Sequence, residues 1–209
     1  GDFPVLFEAP LAAGLLGSLV HAVSGGALYR KSSFLLDHLG KRVMPEFVNI
    51  SERPHIRRGL GSSAFDSDGV ATRDREVVSG GILQGYFLSA YTARKLGMQT
   101  TGNAGGSHNL IIEPGTLDRD GLLKQMNRGL LVTELLGHGI NYVTGDYSRG
   151  AAGYWVENGR IAYPVEEITI AGNLKAMLLG IAAVGSDVQV LGSKQTGSIL
   201  VDRMTVAGE

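Results

Sequence analysis

The sequence contains no cysteine among its 209 residues. This excludes a disulfide framework and a thiolate metal ligand, and it suits a cytoplasmic protein. The chain also lacks a charged amino-terminal segment followed by a cleavage site, and it has no apolar run of the roughly 18 residues that a membrane span requires. We therefore expect a cytoplasmic protein with no membrane partner.

The chain also has almost no net charge. Its 19 Lys and Arg residues nearly balance 20 Asp and Glu residues, which gives a formal charge of −1. Such a balance produces no broad attraction to nucleic acid, so we expect no direct nucleic-acid binding. Because 44% of the residues are apolar, a chain of this length can build its own buried core.

Glycine is the abundant residue, with 31 copies, about twice its usual share of roughly 7%. The copies have no regular spacing, so they indicate many tight turns between short strands. We predict an α+β fold of mostly antiparallel β-sheet, barrel-like or sandwich, with packed helices. Apolar residues at helical spacing place these helices near residues 10–24, 121–131 and 174–184.

Residues 129–172 carry the clearest local signals. Two aromatic and β-branched segments, 153–157 and 160–163, are joined by Asn158 and Gly159, the pair that a two-residue type I′ turn favours, so a β-hairpin is predicted. Residues 141–144 are predicted to form a strand, and residues 145–150 a glycine-bracketed loop that leads into the hairpin. Residues 187–191 and 198–201 are predicted as further strands.

The run NYVTGDYSRGAAGYWVENGRIAYPVEEITIAGN, residues 141–173, closely resembles the C-terminal region of PmbA (TldE) members of the TldD/PmbA family. This family of metallopeptidases is also known as the modulators of gyrase. A weaker resemblance covers nearly the whole chain. It implies that residues 1–209 form a single C-terminal domain, and that the N-terminal domain of the full-length protein is absent. It also implies a pairing of a TldD subunit, which carries the metal site, with a PmbA subunit, which usually does not.

The resemblance also locates the family's metal site. Active subunits carry an H-E-x-x-x-H helix and a later cysteine. With residues 26–33 (GALYRKSS) as the anchor, the histidine positions fall on Gly17 and Ala22 and the glutamate position on Ser18. His21 lies one residue from the second histidine position, and the cysteine position falls near residues 195–197. The resemblance thus implies no catalytic residue, no metal ligand and no bound cofactor in this chain, with zinc in the partner subunit.

Five residues are the candidates for binding a peptide substrate or the partner subunit, because a polar and aromatic loop between strands is hard to explain as core. They are Tyr142, Asp146, Tyr147, Ser148 and Arg149.

Three histidines offer other sites. His21 lies on an apolar helix, His108 follows Ser107, and His138 stands four residues after Glu134. For His21 a hydrogen bond to a backbone carbonyl is favoured over metal ligation. For His138 a place in a loop is favoured, since two potential ligands do not make a metal site. Adjacency in sequence does not make Ser107 and His108 a catalytic pair.

The first functional hypothesis is a PmbA/TldE-type, non-catalytic subunit of a TldD/PmbA metallopeptidase complex that degrades or processes unfolded peptides. Its partner would be a TldD-type subunit, and a homodimer is possible in isolation. The alternative is a non-proteolytic peptide-binding or scaffold module that regulates a partner protein. A third hypothesis, an independent hydrolase that uses Ser107 and His108, has the least support.

Overall fold

The computed structural model describes residues 1–208. The strands are β1 (Asp2–Phe7), β2 (Ile50–Glu52), β3 (Arg75–Ser79), β4 (Ile82–Leu83), β5 (Leu110–Ile112), β6 (Gly129–Leu136), β7 (Asp146–Glu157), β8 (Arg160–Asn173), β9 (Ile181–Val184), β10 (Lys194–Gln195) and β11 (Ile199–Ala207). The helices are α1 (Ala9–Ala22), α2 (Gly25–Tyr29), α3 (Ala90–Leu96), α4 (Arg119–Met126) and α5 (Leu174–Leu179). No helix among residues 1–208 is both long and apolar enough to cross a membrane.

The chain divides into two compact units. The first contains residues 1–14, 114–189 and 196–208, and the second contains residues 15–113 and 190–195. Helix α1 therefore contributes residues to both units.

The first unit is built on a six-stranded sheet in the order β1-β6-β7-β8-β11-β9. An additional pairing between β1 and β11 closes five of these strands into a barrel-like ring, and β9 pairs with β11 outside that ring. Only the β1–β6 pairing in this sheet is parallel. The predicted α+β fold with a mostly antiparallel, barrel-like sheet is therefore confirmed.

Helix α4 covers part of this sheet. Asp118 caps its first turn by accepting a hydrogen bond from the Gly121 backbone N–H at 2.8 Å. The helix buries one apolar face in a cluster made of Leu6, Leu122, Leu123, Met126, Leu131, Val156 and Leu200. Burial of such aliphatic side chains stabilises a fold by about 1.5–3 kcal/mol each, so this cluster fixes the helix on the strands.

The predicted hairpin joins β7 to β8. Glu157 pairs with Arg160, and the two turn residues have positive φ angles, 51° at Asn158 and 70° at Gly159. A Cβ atom on Gly159 would also lie 2.9 Å from the Lys124 Cα. Glycine therefore satisfies both the turn conformation and the close approach of α4.

Two predicted helices are shorter than the apolar spacing suggested. Helix α4 ends at Met126, because Asn127 turns to a φ of 60°, and residues from Gly129 onward form β6. Leu130 and Leu131 pair with β1. Their apolar character suits a buried strand as well as a helix, so periodicity alone assigned them wrongly.

The predicted helix at residues 174–184 is wrong in its second half. Helix α5 ends before Gly180, and residues 181–184 form β9, which pairs with β11. A Cβ atom on Gly180 would lie 2.3 Å from an Asp202 carboxylate oxygen. The chain thus changes from helix to strand at a glycine that the close approach of β11 requires.

The predicted strand at residues 187–191 is also absent, and Gln189 forms only an isolated bridge with Thr196. The Asp187 carboxylate accepts hydrogen bonds from the backbone N–H (2.8 Å) and the hydroxyl (2.6 Å) of Ser198. These bonds hold the segment as a loop. The predicted strand at residues 198–201 is confirmed as the first part of β11.

The second unit contains a five-stranded sheet in the order β10-β5-β2-β3-β4. Its central strand ends at Glu52, which is 1% exposed. The Glu52 carboxylate accepts hydrogen bonds from Arg75 Nε (2.6 Å), Asn103 Nδ2 (2.8 Å) and the His108 backbone N–H (2.7 Å). A buried carboxylate needs such partners, and these bonds join the strand to the glycine-rich loop at residues 102–108.

The hairpin turn gives a test of the first unit. We expect Asn158→Pro to lower the free energy of unfolding by about 3 kcal/mol or more, because proline is fixed near a φ of −65°. Asn158→Gly is the matched control, and it should stay within about 1 kcal/mol of the wild type, since glycine adopts positive φ readily. Urea denaturation measures both values, and equal stability of the two variants would contradict the turn assignment.

Candidate functional site

Residues 141–144, predicted as a strand, form a turn instead. The Asn141 side-chain oxygen accepts hydrogen bonds from the backbone N–H groups of Val143 (3.0 Å) and Thr144 (3.4 Å). These side-chain bonds satisfy backbone N–H groups that a strand would pair with a neighbouring strand, and they stabilise the turn instead. The prediction was wrong because Tyr142, Val143 and Thr144 are all residues that favour strands.

The predicted loop at residues 145–150 is mostly the beginning of β7. The Asp146 carboxylate accepts hydrogen bonds from Thr144 Oγ1 at 2.6 Å and from Asn173 Nδ2 at 3.4 Å. Asn173 Nδ2 also donates to the Thr144 carbonyl oxygen at 2.9 Å. Both Asp146 oxygens therefore join the turn to the strand pair, so this side chain holds the local structure.

Side chains along β7 alternate between two faces, as in any strand. Tyr147 is 3% exposed, and Arg149, two residues further on the same face, is half-buried. Asp146 and Ser148 lie on the other face and are exposed. The five predicted site residues therefore do not form one surface, and Tyr142 lies half-buried in the preceding turn, within electrostatic range of Tyr147.

The Arg149 guanidinium lies beside the Tyr147 phenol. Its positive charge acts on the phenol and favours the ionised form, and its Nη2 donates a hydrogen bond to the Leu135 carbonyl oxygen at 3.5 Å. Its Nε is buried and has no hydrogen-bond partner among residues 1–208. Arg149 as a whole is half-buried, and a charged fork of this kind is a strong donor for a carbonyl or carboxylate oxygen. Arg149 is therefore the strongest candidate binding group of the five.

Burial raises the pKa of Tyr147 to about 12. The positive charge of Arg149 and its hydrogen bond offset only part of this rise, and Tyr142 adds slightly to it. Tyr147 is therefore a neutral phenol at physiological pH, which can orient Arg149 but cannot serve as a base.

The exposed face of β7 continues from Ser148 to a shallow groove, which we call the β7 groove. Its volume is about 310 Å³, and it is lined by Thr133, Ala152, Gly153, Tyr154, Pro164, Val165 and Glu166. This groove is not evident from the sequence. The only sequence signal was a proline and two adjacent glutamates within one strand, which is typical of an interrupted ladder.

The positions that the resemblance assigns to the family's metal ligands lie on α1. Gly17 has no side chain, Ser18 is 3% exposed and Ala22 is fully buried. A Cβ atom on Gly17 would meet only the Lys194 Cε, at 3.9 Å. Within residues 1–208, no three His, Cys, Asp or Glu side chains are grouped so that they can hold a metal ion. These residues do not fit a catalytic zinc site, which needs three protein ligands.

The other histidines take separate places. His21 is exposed on α1, and His138 is exposed in the turn after β6. His108 Nε2 lies 3.0 Å from the Gly102 carbonyl oxygen, and no hydrogen bond links this ring to Ser107 in the described residues. The nucleophile and base of a serine hydrolase are therefore not assembled here.

Comparison with known proteins identifies the class of this fold. Residues 1–208 match the family model described as the PmbA/TldA metallopeptidase C-terminal domain. The chain belongs to the PmbA/TldD metallopeptidase family.

Within the family, the chain is similar to PmbA proteins. It is 55% identical over 208 residues to the Metalloprotease PmbA homolog of Haemophilus influenzae, and it covers 46% of that protein. It is 25% identical over 206 residues to the Metalloprotease TldD homolog of Buchnera aphidicola, with 91% of this chain and 42% of that protein covered. The chain thus spans about half the length of the curated relatives it matches.

Solved structures have the same fold. A putative modulator of DNA gyrase from Bacteroides thetaiotaomicron matches 100% of this chain and 47% of its own, with a TM-score of 0.95 and 31% identity. TldE from Thermococcus kodakarensis matches 99% of this chain and 50% of its own, with a TM-score of 0.85 and 25% identity. The resemblance to modulators of gyrase in the sequence is therefore confirmed at the level of structure.

The raised pKa of Tyr147 predicts a pH dependence of stability. Its folded pKa of about 12 lies above the ordinary value of 10.0, so its contribution is complete below about pH 10 and is lost as the pH rises through 12. We expect the difference in unfolding free energy between the wild type and Tyr147→Phe to be constant below about pH 9. From pH 10 to 12 the wild type should lose stability relative to the variant, which has no phenol to ionise. Urea denaturation across this range tests it, and a constant difference throughout would contradict the burial of the phenol.

Proposed function

We propose that this chain belongs to a PmbA/TldE-type, non-catalytic subunit that acts with a TldD-type metallopeptidase subunit on unfolded peptides. The resemblance to proteins named PmbA and TldE supports the subunit type. Relatives of the TldD type exist in the same family, which supports a paired arrangement. In this proposal zinc is held by the TldD-type partner, and the complex works in the cytoplasm.

The observation that carries the proposal is the set of residues on α1. A catalytic zinc needs ligands, and hydrolysis needs a general base to activate the attacking water. Gly17, Ser18 and Ala22 provide neither kind of group. The chain's contribution is therefore the binding and orientation of the substrate, or the completion of the partner's site.

Strand β7 supplies the groups for that contribution. An extended peptide presents carbonyl oxygens at regular intervals, and a guanidinium is a strong donor to such oxygens. Arg149 is half-buried beside Tyr147. Ser148 offers an exposed hydroxyl on the opposite face of the strand.

The proposal predicts the metal and activity of this chain alone. We expect no zinc-dependent peptidase activity and no stoichiometric zinc in a chelator-free preparation. The triple substitution Gly17→His, Ser18→Glu and Ala22→His should still fail to restore activity, because Ala22 is fully buried and a larger side chain there overpacks the core. Elemental analysis and a peptide-cleavage assay test this, and stoichiometric zinc in the wild type would overturn the proposal.

The role of Arg149 is tested in a complex reconstituted with a TldD-type subunit. We expect Arg149→Gln to reduce peptide turnover about tenfold, since a hydrogen bond from a charged donor contributes about 1.5–3 kcal/mol. Arg119→Gln is the matched control, because Arg119 makes only a surface ion pair with Glu8 at 3.0 Å, and it should change turnover less than twofold.

Two measurements separate the possible roles of Arg149. A higher KM with unchanged affinity for the partner subunit indicates peptide binding, whereas a lower partner affinity indicates a subunit contact. If the Arg149→Gln variant has wild-type values for turnover, KM and partner affinity, Arg149 is not part of the binding site. Peptide binding that leaves the partner's cleavage rate unchanged would favour the alternative of a non-proteolytic scaffold.

A further inference from the structure

The β7 groove lies where bulges interrupt the pairing of β7 with both neighbouring strands, β6 and β8, beside Ala152. In β6, Val132 pairs with Gly153 and Glu134 pairs with Ala152, so Thr133 is an extra residue between them. A β-bulge of this kind leaves its extra residue out of the ladder. The backbone groups of Thr133 are therefore not committed to a regular strand pair.

A second bulge lies opposite the first, across β7. In β8, Glu166 and Glu167 together oppose Ala152. Glu167 has a φ of 54°, a left-handed conformation that costs a non-glycine residue about 1 kcal/mol or more. The two bulges bend their strands on either side of a floor of small residues, Ala152 and Gly153.

Small floor residues leave the groove open, and its walls carry three kinds of group. Tyr154 is 38% exposed and offers an aromatic ring. Pro164 and Val165 offer apolar surface, and Thr133 and Glu166 offer a hydroxyl and a carboxylate. In the described part of the chain, the Glu166 carboxylate has no ion-pair partner and no side-chain hydrogen bond.

These groups match one kind of ligand. A carboxylate and an aromatic ring both attract a cation, through an ion pair and through the face of the ring. Apolar walls bind the methylene stem of a long side chain, which lies along apolar surface while its charged end contacts the carboxylate. An anion is disfavoured by Glu166, and a purely apolar side chain leaves that carboxylate without a partner.

We propose that the β7 groove is a subsite for a lysine or arginine side chain of an extended peptide. This inference rests on the proposed function and specifies the class of peptide that the chain prefers. The groove lies on the same face of β7 as Ser148, with Gly150 and Ala152 between them. Backbone groups of the bulged residues, free of the ladder, supply hydrogen bonds to the peptide main chain.

A structural explanation of the same features competes with this one. Proline and bulges also block the open edge of a strand against unwanted pairing with other chains. No strand among residues 1–208 pairs with residues 160–168 of β8 on the side away from β7, so such protection has a purpose here. Protection of the edge, however, gives no reason to discriminate between peptides by charge.

The test is direct peptide binding to this chain, without a partner subunit. Four fluorescent nonapeptides, blocked at both ends, differ only in a central Lys, Arg, norleucine or Glu. By fluorescence anisotropy at low salt, we expect the Lys and Arg peptides to bind about tenfold more tightly than the norleucine peptide, as one ion pair and one cation–π contact predict. The Glu peptide should bind most weakly.

Variants assign this preference to the groove. Glu166→Gln should lower the ratio of Lys-peptide to norleucine-peptide affinity about threefold, because only the contact with the Tyr154 ring remains. The matched control Glu167→Gln, which removes the adjacent charge outside the groove, should leave this ratio near the wild-type value. Tyr154→Leu should lower the ratio about threefold, and Tyr154→Phe should preserve it. Thermal unfolding shows that each variant is folded, and the conservative Glu→Gln changes keep the shape of both side chains.

Equal binding of the Lys and norleucine peptides, undetectable binding of all four peptides, or equal losses in Glu166→Gln and Glu167→Gln would each overturn the proposal. The last result would indicate only a general attraction to acidic surface. Stimulation of cleavage in a reconstituted complex is measured separately, so the subsite can fail while the proposed function stands. If basic peptides bind but the partner's cleavage rate does not change, the subsite stands and the proposed function fails.

Discussion

Closure of the sheet in the first unit is the constraint from which its other features follow. Strand β1 pairs with β6 on one side and with β11 on the other, so the five-stranded ring has no open edge along its shared length. The ring can be no taller than its shortest members, and β1 has six residues, whereas β7 and β8 have 12 and 14. The long hairpin therefore extends beyond the ring. The β7 groove forms where one bulge interrupts the pairing of β7 with β6 and another interrupts its pairing with β8.

The elements that could be predicted from sequence are those whose information is local. Asn158 and Gly159 determine a turn by their own allowed φ angles. The segments that were assigned wrongly are those whose partners are distant. Leu130 and Leu131 become a strand because β1 lies beside them, and Ile181 becomes a strand because it pairs with Val201. The residues of an apolar run do not indicate which strand, if any, will lie beside it in the fold.

The candidate site shows the same division. Resemblance to the family placed Gly17, Ser18 and Ala22 on a helix, as observed. It did not establish which face of β7 each residue occupies, because residues 145–150 looked like a loop, in which side chains have no fixed alternation. Once the segment is a strand, Tyr147 and Arg149 separate from Ser148, and Asp146 becomes a structural group. The β7 groove depends on the register of three strands and could not be predicted from any one of them.

The pairing of β1 with β11 also has a consequence for synthesis of the chain. The Gly1 nitrogen donates a hydrogen bond to the Val206 carbonyl oxygen at 2.8 Å across 205 residues, and the Asp2 carboxylate accepts two from Arg203 and one from Thr205. At roughly 5–20 residues per second of translation, β1 emerges from the ribosome roughly 10–40 seconds before its last partner exists. During that interval β6 can cover only one of its edges, and the apolar Val5, Leu6 and Phe7, which are fully buried in the folded protein, stay exposed on the nascent chain. The ring of the first unit is thus completed only after β11 has been synthesised, and until then β1 is the apolar strand with an unpaired edge.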